Sequence, residues 1–200
     1  MCLNKIVIVG KSGAGKTTLA GQLSTKLSLK HVELDGIAWQ KDWTMLSIDE
    51  FRNRVDKALA SNDSWVADGN YTRRAQDIIW QRADTLIWLD YPLYLALWRV
   101  LTRTLGRIFW NVELWNGNRE TFGHHLNFDP NENLFLFTIR MHKNHRADFP
   151  RVLAQAEYQH LKVLRFRHPR ETEEWLSALS NPLDFGQEGY ELQSIKPKNS

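Results

Sequence analysis

The segment Gly10-Lys11-Ser12-Gly13-Ala14-Gly15-Lys16-Thr17 follows a β-branched run from Lys5 to Val9. It opens a pattern in which Leu19, Leu23 and Leu27 recur on one helical face over residues 16–29. A buried-type strand that passes through three glycines into an amphipathic helix leaves few local structures open. Glycines at 10, 13 and 15 let successive backbone N–H groups turn towards one centre. The N-terminus of the following helix adds the positive end of its dipole at the same place. The spacing is G-x-x-x-x-G-K-[ST], and its context, strand before and helix after, is the one in which that pattern cradles phosphate. Lys16 then supplies a point charge for the β- and γ-phosphates of a nucleotide, and the Thr17 hydroxyl supplies a ligand for Mg²⁺. The expected phosphate contacts are Gly10, Ser12, Gly13, Ala14, Gly15, Lys16, Thr17 and Thr18.

The rest of the chain alternates strand and helix. Short strands are expected at 31–34, 65–67, 85–89 and 162–166, ending near Asp35, Asp68, Asp90 and Phe166. Between them fall a helix from Ile48 to about Leu59, capped by Ser47 with Glu50 three residues on, and a helix through Ile78 and Ile79. After Pro92 a long helix is expected to turn Leu93, Leu97, Val100 and Leu101 inward and to carry Arg99, Arg103 and Arg107 on its polar side. Residues 109–133 are rich in Asn, Gly and aromatics and read as a lid or binding loop. A helix over 132–158, interrupted or bent at Pro150, and a last helix over 171–179 complete the pattern. Alternation of this kind implies right-handed crossovers and a parallel sheet, with ligands gathered beyond the carboxyl ends of the strands. Asp35, Asp68 and Asp90 are thereby candidates for that crevice, although an Asp in such a turn also serves local hydrogen bonding. The organisation expected is one kinase-like domain over 1–180, with its lid at about 107–146, and a flexible tail over 181–200.

Charge is unevenly placed. Residues 99–170 hold twelve Arg and Lys against six Asp and Glu, and six of the seven His, so the basic balance is local and aimed at an anion. Phosphate esters are the first candidate and nucleic acid the second. The single Cys, at position 2, allows no internal disulfide and no Cys-based metal site, and the apolar run at 6–9 is too short for a leader or a membrane span. A cytoplasmic protein without membrane contact, monomer or homodimer, is the expectation. His124, His125, His142 and His145 lack an acidic or Cys partner at ligand spacing, which argues against a metal site among them. Trp39, Trp43, Trp110 and Trp115 are of a kind that stacks on bases or sugars, but packing is the expected use.

A dinucleotide-binding reading fails because the third glycine of G-x-G-x-x-G would fall at Thr18, and no Asn-Lys-x-Asp segment for guanine occurs. Adenine is the expected base, and ATP with Mg²⁺ the expected pair. The run Asp68-Gly69, then Leu89-Asp90-Tyr91-Pro92, then Arg99 and Arg103 resembles the adenylate-kinase-type branch of the P-loop kinases. Trp65-Val66-Ala67-Asp68-Gly69-Asn70-Tyr71, with Arg82-Ala83-Asp84 and Ile87-Trp88-Leu89-Asp90, is similar to the small bacterial proteins labelled "DNA topology modulation protein" (FlaR-like), over about residues 5–180.

The resemblance implies a three-layer α/β P-loop NTPase fold, a five-stranded parallel sheet of order 2-3-1-4-5 with helices on both faces and a lid insertion. It implies Arg99 against the adenine and Arg103 at the transferring phosphoryl group. Asp68 would hold a water on Mg²⁺, and one or two of Arg140, Lys143 and Arg146 would arrive from the lid. Catalytic work would thus fall to Lys16, Arg103, Arg140 and Asp68, and acceptor contacts to Asp35, Asp68, Asn70, Arg73 and Arg82. Adenylate kinases place an Arg after a Pro beyond the Asp-Gly pair, whereas this chain continues Asn70-Tyr71-Thr72-Arg73-Arg74, so AMP is not implied as acceptor. Glu33-Leu34-Asp35 is similar to the acidic pair after the second strand of shikimate-type kinases, where a carboxylate orients or deprotonates a hydroxyl. The expected activity is transfer of the ATP γ-phosphoryl group to a nucleotide or another small acceptor. The alternatives are a nucleotide-regulated DNA-associated protein and an ATPase without an acceptor.

Overall fold

The computed structural model describes residues 3–119 and 133–179, without the side chains of Thr72 and Arg73. Five parallel strands, β1 (Lys5–Gly10), β2 (Lys30–Glu33), β3 (Trp65–Asp68), β4 (Thr85–Leu89) and β5 (Lys162–Phe166), form one sheet of order β2-β3-β1-β4-β5. β1 lies at its centre, with Ile8 opposite Asp68 of β3 on one side and Ile87 of β4 on the other. The strand order is the one implied by the resemblance. All three central strands are buried on both faces, which is why they read as unbroken apolar runs.

The two-residue period of the strands divides the core. Val7, Val9, Trp65, Ala67, Leu86 and Trp88 face one layer, made by α3 (Ile48–Ala60), α4 (Thr72–Arg82) and α6 (Leu134–Leu153). Ile6, Ile8, Val66, Ile87 and Leu89 face the other, made by α1 (Lys16–Leu27) and α7 (Pro169–Ala178). Aromatic rings fill the first layer: Phe149 of α6 packs edge-on to both Trp80 and Trp88, with ring centroids 5.5 and 5.2 Å apart.

Three elements differ from the sequence reading. Directly after β2 comes a one-turn helix, α2 (Leu34–Ala38), which buries Leu34 and Ala38 one turn apart. Five residues containing a glycine give no periodicity to detect. The helix α5 (Leu93–Phe109) buries Ala96, Val100 and Thr104, while Leu101 is exposed together with Tyr94, Trp98, Leu105 and Phe109. The inward stripe is rotated from the expected leucines because α5 rests on the glycine loop, where only small side chains fit. The helix α6 runs through Pro150 and stops at Leu153, and a separate turn follows at Ala156–Tyr158. The expected lid falls partly on residues 120–132 and the expected tail on 181–200, and both stretches, with His124 and His125, lie outside the described residues. No helix of the described residues is long and apolar enough to cross a membrane.

Phe149 is 3% exposed and touches both indoles, so Phe149→Ala is expected to lower unfolding stability by about 3–4 kcal/mol. Urea denaturation of the two proteins measures the difference.

Candidate functional site

The glycine loop joins β1 to α1 and forms one wall of a cleft of about 1840 Å³ beyond the carboxyl ends of the strands. Gly13 and Gly15 have φ of +74° and +91°, which side chains rarely adopt. A Cβ on Gly13 would lie 2.4 Å from the Ala96 carbonyl oxygen and 2.9 Å from a Val100 methyl, so loop and α5 meet at this residue. The Gly10 N–H donates to Asn70 Oδ1 at 3.3 Å, and the Ala14 N–H to the Lys11 carbonyl at 3.2 Å. No side chain caps α1 and no acidic residue occupies its first turn. The N–H groups at that end, with their dipole, are thereby left for an anion.

Lys16 lines the cleft and spans the loop, its Nζ donating to the Lys11 carbonyl at 3.3 Å. Burial pushes its ammonium below the ordinary lysine range, while Asp35 first and Asp68 second pull it back up. Lys11, by contrast, turns inward: it is 2% exposed, donates to the Tyr91 carbonyl, and burial brings it down to about 8 against the attraction of Asp90.

Asp68, at the end of β3 and 2% exposed, accepts from the Thr17 hydroxyl at 2.6 Å through Oδ2 and pairs through Oδ1 with His31 Nε2 at 2.7 Å. The hydroxyl and carboxylate are hard oxygen donors beside the phosphate loop, a set that suits Mg²⁺. His31 was not among the sequence candidates. It stands on β2 on the same side of the strand as Glu33, and Glu33 is in register with Asp68. Only strand pairing shows that neighbourhood. Its hydrogen bond to Asp68 raises the imidazole above its ordinary value.

The opposite part of the cleft is acidic and aromatic. Tyr71 donates its hydroxyl to Asp35 Oδ1 at 2.7 Å, and burial raises the Asp35 carboxyl despite that bond and the attraction of Lys16. Glu33 is raised as well, by burial, and accepts from the Trp115 indole. Trp115, Trp39 and Trp43 line this part of the cleft, where Trp39 also packs against the core and stands edge-on to Trp43 with ring centroids 5.5 Å apart. One buried side chain holds the two segments that carry them. Asn118 donates to the Gln40 and Trp115 carbonyls, both at 2.7 Å, and accepts from the Trp43 N–H at 2.8 Å. Trp110 is exposed at the end of α5 and does not line the cleft.

Among the expected cations, Arg99, Arg103 and Arg140 line the cleft, and Arg107 with them. Arg103 reaches Ser12 Oγ at 3.3 Å, and Arg99 lies over the Tyr91 ring at 5.8 Å. Asn70 lines the cleft beside the loop, and Thr18 lies on its rim. Arg82 is placed elsewhere: it pairs with Asp56 at 2.6 Å at the far end of α4, because that helix leads away from the strand ends. The Arg73 side chain lies outside the described residues. Arg146 does not turn into the cleft but binds Asp90 at 2.8 Å, and Arg165 closes on the same carboxylate at 2.6 Å while stacking on Trp88. Asp90, 3% exposed, is therefore an anchor between α6 and β5 and not a crevice residue. Lys143 is exposed and also outside the cleft lining. Among the described residues no group of three or more His, Cys, Asp or Glu side chains could hold a metal ion.

No family model matches the chain. It is similar to the uncharacterized protein YqaC of Bacillus subtilis (strain 168), 35% identical over 65 residues, which are 32% of this chain and 36% of that protein. The match thus spans about a third of that relative. Among solved structures it is similar to a shikimate kinase from Bacteroides thetaiotaomicron, with a TM-score of 0.53 and 14% identity over 87% of this chain and 94% of that one. It is similar also to a gluconokinase from Sinorhizobium meliloti 1021, with a TM-score of 0.50 and 14% identity over 89% of this chain and 92% of that one. The fold is that of the P-loop kinases. The FlaR-like resemblance rests on the sequence motifs alone.

The His31–Asp68 pair gives a pH-dependent contribution to stability. His31 has a folded value above the ordinary 6.5, so its stabilisation is full below that value and is lost as pH rises through the raised one. The melting temperature of wild type over His31→Gln is expected to be highest near pH 5.5 and to converge on the variant's at alkaline pH. Thermal scans of both proteins across that range measure it.

Proposed function

We propose that this chain is an ATP-dependent phosphotransferase, which places ATP on the glycine loop and moves its γ-phosphoryl group to a small hydroxyl-bearing acceptor held beside Asp35. One observation carries the reading. Lys16 of the loop and the acceptor-side Asp35 carboxylate line the same cleft and attract each other. A phosphoryl group lying between them would have a cation behind it and a proton acceptor in front.

The residues divide the work by chemistry. Loop N–H groups and Lys16 bind the β- and γ-phosphates, while Arg99, over the Tyr91 ring at 5.8 Å, offers a planar cation beside the loop for the adenine. Thr17 and Asp68 would hold Mg²⁺, which when bound would supply positive charge against the phosphates. Arg103 and Arg140 would stabilise charge on the transferring group, since transfer of this kind relies on alignment and positive charge. The acceptor oxygen forms its bond to the γ-phosphorus as the bond to the β,γ-bridging oxygen breaks. ADP leaves with that oxygen, and the hydroxyl proton passes to Asp35. The raised Asp35 carboxyl is the stronger base for the task.

The acceptor side favours a hydroxyl over a nucleoside monophosphate. Asp35 and Glu33 stand where a phosphomonoester would bring more negative charge, and the tryptophan rings suit the flat face of a sugar or cyclic polyol. The described arginines support a kinase more than a DNA-associated protein. Arg99, Arg103, Arg107 and Arg140 line the cleft, and Arg119, Arg146, Arg165 and Arg170 pair with carboxylates.

Release of ADP, measured with a panel of sugars, polyols and nucleoside monophosphates, tests the reading. A hydroxyl acceptor is expected to stimulate release. Lys16→Ala is expected to lower turnover by about 10²–10³-fold, and an unchanged rate with unchanged ATP binding sinks the proposal. Asp35→Asn is expected to keep ATP binding and lose at least about 10²-fold in stimulated rate.

A further inference from the structure

We propose that His145 is a ligand of the ATP γ-phosphate, its Nε2 bonding the terminal phosphate from the α6 side of the cleft, with a proton taken up as that phosphate arrives. The inference rests on the reading that ATP occupies the glycine loop, and it assigns a group which that reading leaves without a task.

His145 is 5% exposed, yet it lines the cleft. Its Nε2 is buried and has no hydrogen-bond partner. A buried ring nitrogen without a partner is held at a cost that disappears when a donor or acceptor reaches it. The ring is also fixed in orientation, stacked on Phe149 at 4.3 Å with the planes 17° apart, and Phe149 in turn is locked between Trp80 and Trp88. A side chain that is buried, unpartnered and part of the cleft wall gains a hydrogen bond when a ligand atom comes within its reach.

The charges around it indicate what it meets. Lys16 acts on it most strongly, Lys11 next, then Asp90 at the end of β4 and His142 on its own helix. On α5, which packs against α6, the buried polar group is the uncharged Thr104, and no charged group of α5 is among those acting on the ring. Burial first, and the two lysines after it, hold the imidazole neutral, down to about 3. The terminal phosphate binds at Lys16, and its negative charge reverses the field that keeps the ring neutral. The ligand-bound imidazole therefore has a higher value than the free one, and ATP affinity falls as pH rises through it. ADP lacks the terminal phosphate and brings little of this effect.

Titration calorimetry in two buffers of different ionisation enthalpy measures the proton count. The ligands are the Mg²⁺ complexes of ADP and of an imido analogue of ATP, and the proteins are wild type, His145→Phe and His145→Gln. Wild type is expected to take up a proton fraction with the analogue and little with ADP. His145→Phe keeps the stacking surface on Phe149 and is expected to lose that uptake. It should bind the analogue about tenfold more weakly with ADP affinity unchanged. His145→Gln restores an N–H donor and is expected to recover most of the affinity without the uptake, and it carries the test should the Phe variant not fold. Analogue affinity and proton count equal to wild type in the folded variants overturn the proposal while leaving the kinase reading intact. If wild type binds neither nucleotide, both fall together.

Discussion

The contact between Gly13 and the backbone of α5 sets the geometry on which the rest of the site depends. With the Ala96 carbonyl where a Cβ of residue 13 would lie, the loop and the helix can approach only if that residue has no side chain. This closeness brings Arg99 and Arg103 to the loop, the second within hydrogen-bond distance of Ser12. It also dictates that Ala96 and Val100, and not the larger leucines, form the face of α5 that meets the loop.

Asp68 and Asp90 end neighbouring strands on either side of β1, and they take opposite roles for a plain electrostatic reason. Asp68 faces a hydroxyl and an imidazole, both able to release it to a cation. Asp90 lies under two guanidinium groups and near the inward Lys11, so its charge is already compensated. Removing one partner of such a buried cluster would strand charge away from water, and this suits an anchor better than a catalyst. The α6 helix is held by this anchor at Arg146, which sits beside His145 in the chain and fixes where that ring meets the cleft.

The division of the cleft into a cationic wall and an acidic wall follows from topology. Loops after β1 and β4 bring the glycine turn and the arginines of α5, and loops after β2 and β3 bring Asp35, Tyr71 and Asn70. Asn118 then ties the segment after α5 to the segment after α2, so the tryptophans they carry line one cleft with Asp35 although about 80 residues separate Trp115 from it.

The sheet and the phosphate loop were legible in the sequence because their signals are local. Apolar runs bounded by glycine or Asp mark buried strands, and the spacing Gly10 to Thr17 dictates backbone conformations that need no distant partner. The one-turn α2 and the rotated face of α5 were not legible, since each is decided by what it packs against. Among site residues, Lys16, Thr17 and Asp68 followed from the motif and from strand ends. Tertiary structure alone decided that Arg146 turns to Asp90, that Arg82 lies with Asp56, that His31 reaches Asp68 and that His145 is buried in the cleft wall. A side chain's partner depends on strand register and helix rotation, which are collective properties of the packed core, whereas a glycine turn is specified by the residues that compose it.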